Sequence, residues 1–172
     1  MPKIIKNVRE QLLQEAKRQI AERGYADTTI RSVAGACDLS VGTVYNYFKS
    51  KEMLIATFLF DEWKVHLHEM QNLTPDEPRT LLRGIFDSLR KFAKNNKKLF
   101  SDKDAAKLIS QSGSEYHRML RGQIAAFIFP LCQMKQSGNP QFTAEFISES
   151  LISWSMENTD FDSLYSVLEK LF

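Results

Sequence analysis

The stretch at residues 28–51 reads TTIRSVAGACDLSVGTVYNYFKSK, and its spacing predicts two short helices joined by a tight turn. Ala34 is small where two helices cross closely, and four residues later Asp38 stands at the turn. That position needs a left-handed or similarly tight backbone, which Gly adopts most easily and Asp tolerates. Leu39 and Val44 are apolar and fit the small core beneath the turn. The stretch therefore predicts a helix-turn-helix, with helices at residues 30–37 and 41–48.

Helical signals extend over the rest of the chain. Apolar residues recur every three or four positions, and the sequence shows no strand alternation, internal repeat or low-complexity tract. Thr28 or Thr29 is a predicted N-cap of the second helix, Ser40 of the third and Ser50 of a long fourth helix. We expect an all-α protein, in which a three-helix N-terminal domain with the helix-turn-helix is joined by a long helix to an all-helical second domain.

The segment at residues 72–78, NLTPDEP, interrupts the helical pattern with two prolines. Thr74 and Glu77 have the spacing of a capping box, with Pro75 at the first helical position of the next helix. We predict a domain boundary here, which divides the chain into residues 1–71 and residues 72–172. Four or five further helices are expected in the second domain, one near residues 104–111 and one capped by Thr159.

The composition is that of a soluble globular protein, with 43% hydrophobic and 26% charged residues among 172. The longest apolar run, residues 124–132, is shorter than the roughly 20 residues that a membrane span needs, so we expect a buried helix segment. No apolar segment follows the basic N-terminus, which favours a cytoplasmic protein. Cys37 and Cys132 are far apart and fit core positions better than a disulfide or a zinc site.

Charge is distributed unevenly along the chain. The first 51 residues hold nine Lys or Arg and five Asp or Glu, a net charge of +4, although the whole chain carries only +2. A basic N-terminal part suits a protein that contacts phosphates with one end. Because many globular domains vary this much, the charge supports the helix-turn-helix prediction without establishing it.

The outward residues of the third helix and its neighbours are suited to double-stranded DNA. The N-terminal end of a recognition helix meets base edges, so Val41 can contact a thymine methyl and Gly42 allows a close approach. Hydroxyl and basic side chains can bind phosphates. For Tyr45, packing in the core is an equally open alternative to a contact with DNA. The predicted contact set is Thr28, Thr29, Arg31, Ser40, Val41, Gly42, Thr43, Tyr45, Asn46, Tyr47, Lys49 and Lys51.

Residues from about 6 to 65 resemble the DNA-binding domain of the TetR/AcrR-type transcriptional regulators. The resemblance is carried by RGYADTTIRSVAGACDLSVGTVYNYFKSKEMLI at residues 23–55, and Asp38 stands where that family usually has Gly. It implies a regulator, most often a repressor, that binds a palindromic operator as a homodimer and is released by a small effector. In proteins of this kind the second domain dimerises and holds the effector.

Apolar residues of the second half are candidates for dimerisation and for effector binding. Stripes on the last two helices predict a dimer interface, unless these helices only close the core of one protomer. The residues concerned are Phe146, Leu151, Phe161, Leu164, Tyr165 and Leu168. Aromatic and Met side chains could line an apolar cavity for a hydrophobic effector, or could be plain core. These are Phe86, Phe92, Tyr116, Met119, Phe127 and Trp154, with Phe129 and Met134 beside them.

Two other classes of protein remain as alternatives. Glu62, His66 and Glu69 share a helix face that could hold a metal, although a solvated face explains them better. With no catalytic triad, phosphate loop or Cys cluster in the sequence, we predict no enzyme, no cofactor and no metal. The second alternative is a helical protein-interaction module without DNA binding, against which the basic N-terminal part and the Thr, Tyr and Lys set argue.

Overall fold

In the computed structural model, the described residues are 7–74, 77–105 and 113–172, and side chains at 113–115 are not described. Helices make up the fold, and within these ranges there is no β-strand, so the predicted all-α class is confirmed. None of the described helices is long and apolar enough to cross a membrane. The helices are α1 (Val8–Arg23), α2 (Ile30–Ala36), α3 (Val41–Tyr47), α4 (Lys51–Gln71), α5 (Pro78–Asn95), α6 (Lys97–Phe100), α7 (Gly113–Met134), α8 (Pro140–Met156) and α9 (Phe161–Leu168), followed by a 3₁₀ turn (Glu169–Leu171).

The chain divides into two compact units. The first comprises the residues up to Trp63 together with the segment that begins at Asn96, and the second comprises Lys64–Asn95 together with the residues after Gln111. The chain passes from the first unit to the second within α4. The predicted domain boundary at residues 71–72 stays a prediction.

The first unit is built on α1. Its buried face carries Leu12, Leu13, Ala16 and Ile20, the three-four spacing expected of an amphipathic helix. The helix ends at Arg23 and is followed by Gly24 with φ 90°, a backbone conformation that a residue with a side chain rarely adopts.

The predicted turn is present between α2 and α3. Asp38 has φ 55°, and the Leu39 backbone N–H donates to the Ala34 carbonyl over 2.9 Å. Val44 and Phe48 are buried beneath the turn, as the sequence indicates. A left-handed Asp costs on the order of 1 kcal/mol relative to Gly, so the turn carries a small strain. Both helices are one residue shorter than predicted, with Cys37 and Phe48 at their C-caps.

In the second unit, α5 buries the predicted apolar stripe, which includes Leu82, Ile85, Phe86, Leu89 and Phe92. The apolar run at residues 124–132 lies inside α7, with Ile128 and Leu131 fully buried, and α7 continues through Pro130 to Met134.

One predicted cap in this half was wrong in detail, and another falls partly outside the described residues. Helix α5 begins at Pro78, whereas Pro75, the predicted first helical position, is not among the described residues. Asp160, rather than Thr159, caps α9 by accepting a hydrogen bond from the Ser163 N–H, because a carboxylate reaches that donor directly. The helix predicted near 104–111 falls mostly outside the described residues.

Candidate nucleic-acid interface

Helix α3 has one buried side and one side that faces solvent. Val44 is fully buried, and Phe48 at the C-cap is 3% exposed. On the other side Gly42 and Asn46 are exposed, and Tyr45 and Tyr47 are 45% and 47% exposed. Tyr45 is therefore a surface residue, and the alternative that placed it in the core was wrong.

The start of α3 is held by a cap that also orients Thr43. The Ser40 Oγ accepts a hydrogen bond from the Thr43 backbone N–H over 3.0 Å, which satisfies one of the free donors of the first turn. The two hydroxyl oxygens lie 2.8 Å apart and share a second hydrogen bond. The Thr43 hydroxyl is thus engaged within the protein.

Helix α2 is positioned through its own cap and through α1. Thr29 and Ser32 form a reciprocal capping box. Gln19, which is fully buried on α1, donates to the Ser32 carbonyl over 3.1 Å and accepts from the Ser32 hydroxyl over 2.6 Å. The sequence prediction missed Gln19, whose only signal is a polar residue at core spacing, three positions after Ala16.

An open groove joins the starts of α2 and α4 to one flank of α3. It encloses about 450 Å³ and is lined by Thr29, Ile30, Arg31, Val41, Tyr45, Lys49, Ser50, Lys51 and Glu52. Arg31 and Lys49 are exposed, and the Lys49 Nζ makes a single 3.3 Å hydrogen bond to the Tyr45 carbonyl. Hydroxyl and cationic groups that line an open groove are suited to a backbone of phosphates.

Two residues of the predicted contact set serve the protein itself. Thr28 is 1% exposed, and its hydroxyl donates to the Gly24 carbonyl over 2.8 Å. The Lys51 ammonium lies 3.6 Å from the centre of the Tyr25 ring and donates to the Tyr25 carbonyl over 2.9 Å. We therefore leave Thr28 and Lys51 out of the proposed contact set.

The Tyr25–Lys51 pair links the loop after α1 to the first turn of α4. Burial lowers the pKa of Lys51. Burial and, to a smaller extent, the negative charge of the nearby Glu52 carboxylate raise the pKa of Tyr25 to about 12. The Tyr25 hydroxyl donates to Glu52 over 3.2 Å. A partly desolvated cation–π contact contributes about 1–2 kcal/mol. The pair therefore stabilises the contact between the loop after α1 and the start of α4, which flanks the helix-turn-helix.

We expect Lys51→Met to lower the free energy of unfolding by about 1–2 kcal/mol, because the apolar stem stays while the charge and its hydrogen bond are lost. Lys49→Met is the matched control, and its effect should stay within about 0.5 kcal/mol, since Lys49 is exposed. Urea denaturation measures both. Equal losses in the two variants would contradict the supporting role of Lys51.

The predicted effector residues lie in different environments of the second unit. Phe86 is buried against Phe161, with ring centres 5.4 Å apart, and Phe92 meets the His66 ring edge-on at 5.5 Å. Trp154 is exposed on an open cavity of about 420 Å³ that none of the other predicted residues lines. The remaining three, Tyr116, Met119 and Phe127, are half-buried, as is Phe129, whereas Met134 is exposed.

Tyr116 differs from the rest of this set. Its hydroxyl oxygen is buried and, within the described part of the chain, has no hydrogen-bond partner. Burial also raises the pKa of this hydroxyl. A buried polar atom without a partner costs free energy, and a bound ligand with a polar group would remove that cost.

Most of the predicted dimer residues close the core of their own protomer. Leu151, Phe161, Leu164 and Leu168 are buried within the chain, so their prediction as interface residues was wrong. Apolar periodicity does not distinguish a helix face that packs internally from one that awaits a partner. Tyr165 is half-buried and stacks on Phe161.

Other apolar side chains on the same two helices remain exposed. Phe142 and Phe146 are one helical turn apart on α8 and are 66% and 48% exposed, and Val167 on α9 is also exposed. Of the predicted interface residues, Phe146 is the one that is exposed in this way.

The carboxylate and histidine side chains of α4 have partners of their own. Glu62 forms an ion pair with Lys17 over 2.7 Å, and the His66 Nδ1 lies 2.9 Å from the Ser88 hydroxyl. Over the described ranges there is no group of three or more His, Cys, Asp or Glu residues that could hold a metal ion.

The capped α2, the tight turn at Asp38 and the half-exposed α3 define the class of the molecule: an all-α protein with an N-terminal helix-turn-helix. Residues 12–57 match the family of bacterial regulatory proteins of the tetR type. The helix-turn-helix domain is thus similar to that of the TetR family, whose members are transcriptional regulators rather than enzymes.

Individual proteins of this family are also similar to the chain. The transcriptional repressor KstR2 of Mycolicibacterium smegmatis is 34% identical over 80 residues, which are 45% of this chain and 39% of that repressor. The match thus spans about two fifths of the relative's length. A TetR-family regulator from Pectobacterium atrosepticum superposes with a TM-score of 0.64 over 95% of this chain and 89% of its own, at 20% identity. The repressor AlkX from Dietzia has a TM-score of 0.60 over 96% and 97%, at 17% identity.

Proposed function

We propose that this protein is a transcriptional repressor that inserts α3 into the major groove of an operator. The observation that carries the proposal is the solvent-facing side of α3, which lies beside the groove that holds Arg31 and Lys49. The similarity of the N-terminal part to the repressor KstR2 supports repression rather than activation. We assign DNA binding to residues 1–71 and effector binding with dimerisation to residues 72–172. The proposed DNA binding would require a cytoplasmic location.

The proposed contacts divide into two groups. Thr29, Arg31, Tyr45, Tyr47 and Lys49 bind phosphates, because their hydroxyl, guanidinium and ammonium groups are exposed around α3. The face that meets the base pairs consists of the capping Ser40 with Val41, Gly42, Thr43 and Asn46.

Two protomers are proposed to meet through Phe142, Phe146 and Val167, together with the half-buried Tyr165. Exposed aromatic side chains on one helix face are more stable when a partner covers them. A twofold dimer presents the same face of both copies, and its two α3 helices then read two half-sites related by symmetry. The operator should therefore be a palindrome.

The effector is proposed to be a small, mainly apolar molecule with one polar group. The support is the buried Tyr116 hydroxyl, together with the half-buried Met119 three residues later on the same helix. An apolar lining with one polar group is typical of ligand sites. Effector binding would favour a conformation that fits DNA less well, and so would release the operator.

A mobility-shift titration on the DNA upstream of the protein's own gene tests operator binding. We expect affinity to fall steeply between 50 and 200 mM salt, because bound phosphates release counterions. Lys49→Met should flatten the dependence of log affinity on log salt by about one unit, whereas Lys51→Met should leave the slope unchanged. Affinity that is equal at low and high salt would favour the alternative of a protein-interaction module.

A further inference from the structure

On the basis of the operator binding proposed above, we propose that Asn46 reads an adenine in the major groove, and that the centre of each half-site consists of A·T base pairs. Asn46 is exposed on the side of α3 opposite its buried residues. None of the seven residues of α3 is an Arg, Lys, Asp or Glu, the side chains that most often read a guanine or a cytosine.

The position of Asn46 follows from the turn of the helix. Successive residues of an α-helix are about 100° apart around its axis, so Asn46 lies about 160° from both Val44 and Phe48. Those two side chains are buried under the turn, 0% and 3% exposed. Asn46 therefore points almost directly away from the core, and Tyr45 and Tyr47 lie on either side of it.

Gly42 leaves the approach to Asn46 open. It is exposed and lies one helical turn before Asn46. A Cβ built on Gly42 would meet only the Ser40 Oγ, at the ordinary contact distance of 3.7 Å. Packing within the protein therefore does not require glycine here, although glycine in a helix costs about 0.5–1 kcal/mol relative to alanine. Close approach of an outside surface explains the missing side chain.

The chemistry of α3 selects the base pair. Its sequence, VGTVYNY, contains no Arg, Lys, Asp, Glu or Gln. Arg is the commonest reader of guanine, and Asp or Glu accepts from cytosine. An Asn amide instead donates to adenine N7 and accepts from adenine N6–H in a bidentate pair. Within the described part of the chain, the Asn46 side chain makes no hydrogen bond that would compete.

The neighbours of Asn46 present methyl groups. The Thr43 hydroxyl is engaged with Ser40 over 2.8 Å, which leaves its methyl group for outside contacts. Val41 adds a second apolar side chain at the start of the helix. Both suit the C5-methyl of thymine, which marks A·T pairs in the major groove.

The test begins with half-sites that the full-length protein selects from a random DNA pool. Each adenine of the selected site is then replaced in turn by 7-deaza-adenine, which lacks the N7 acceptor. We expect one adenine per half-site at which this replacement weakens binding about tenfold, because the Asn46 N–H donor is left without its N7 acceptor. Replacing a thymine next to this adenine by uracil should weaken binding by a further few-fold, because the methyl contact is lost.

The variant Asn46→Ala assigns the contact to this residue. It should bind normal and 7-deaza sites with equal, reduced affinity, and because Asn46 is exposed its melting temperature should match the wild type. Lys49→Met is the control, which should keep the full sensitivity to 7-deaza-adenine while losing affinity for every site.

Three results separate the possible failures. If the wild-type protein selects no DNA from the pool, the proposed function fails. If it selects sites with G·C centres, or if each 7-deaza replacement changes affinity by less than twofold, only the adenine assignment is overturned. It is also overturned if Asn46→Ala keeps the wild-type sensitivity.

Discussion

Gly42→Ala is expected to weaken operator binding at least tenfold while making the protein slightly more stable. The added methyl group has room inside the protein, since it meets only Ser40 Oγ at 3.7 Å. Alanine should raise the free energy of unfolding by about 0.5 kcal/mol, because it loses less backbone entropy than glycine in a helix. The same methyl group holds α3 away from the floor of the major groove, where all the proposed base contacts depend on close approach.

Gly35→Ala is the matched control. Gly35 is exposed in α2, a Cβ there meets nothing within 4 Å, and the residue does not line the groove beside α3. We expect a similar gain in stability and operator affinity within twofold of the wild type. Urea denaturation and mobility-shift titration measure the two quantities. Unchanged affinity in Gly42→Ala would mean that α3 does not approach the bases.

The double substitution Phe142→Glu with Phe146→Glu is expected to convert the protein into a monomer and to lower operator affinity at least a hundredfold. Both rings lie on one face of α8 and are 66% and 48% exposed, so the fold should survive. Four carboxylates brought together at a twofold interface repel one another and are costly to desolvate. A monomer contacts a single half-site and loses the gain from simultaneous binding.

Val65→Glu provides the control for this second prediction. Val65 is 57% exposed on α4, away from α8 along the chain, and its replacement adds one carboxylate at another exposed apolar side chain. It should remain dimeric in sedimentation equilibrium and should bind DNA like the wild type. A double variant that stays dimeric would place the interface elsewhere, whereas a wild-type protein that is monomeric at micromolar concentration would remove the dimer from the proposal.

Short-range signals explain why the helices and the turn of the first unit could be predicted from the sequence. Each element of the helix-turn-helix is specified within a few residues: the caps at Thr29 and Ser40, the turn at Asp38 and the apolar Val44 below it. Caps and turns act through backbone hydrogen bonds between near neighbours in sequence. The element order and the exposed face of α3 could therefore be predicted without knowledge of the tertiary contacts.

Contacts between distant residues were not predictable in the same way. Lys51 was expected to meet phosphate, but it lies over the ring of Tyr25, which is 26 residues earlier in the chain. Thr28 was expected to bind DNA or cap a helix, but it is buried against Gly24. Gln19 was overlooked because its partner, Ser32, is 13 residues away.

The amino-acid sequence by itself determined the all-α class, the helix-turn-helix and the outward residues of α3, because helix periodicity, capping and turn chemistry are short-range properties. Only the tertiary structure decided which apolar helix faces are buried within one protomer. Leu151, Phe161, Leu164 and Leu168 have the same periodicity as an interface but are covered by their own chain, whereas Phe142 and Phe146 are not. Burial depends on which surfaces the folded chain brings together, and apolar spacing along one helix carries no information about that.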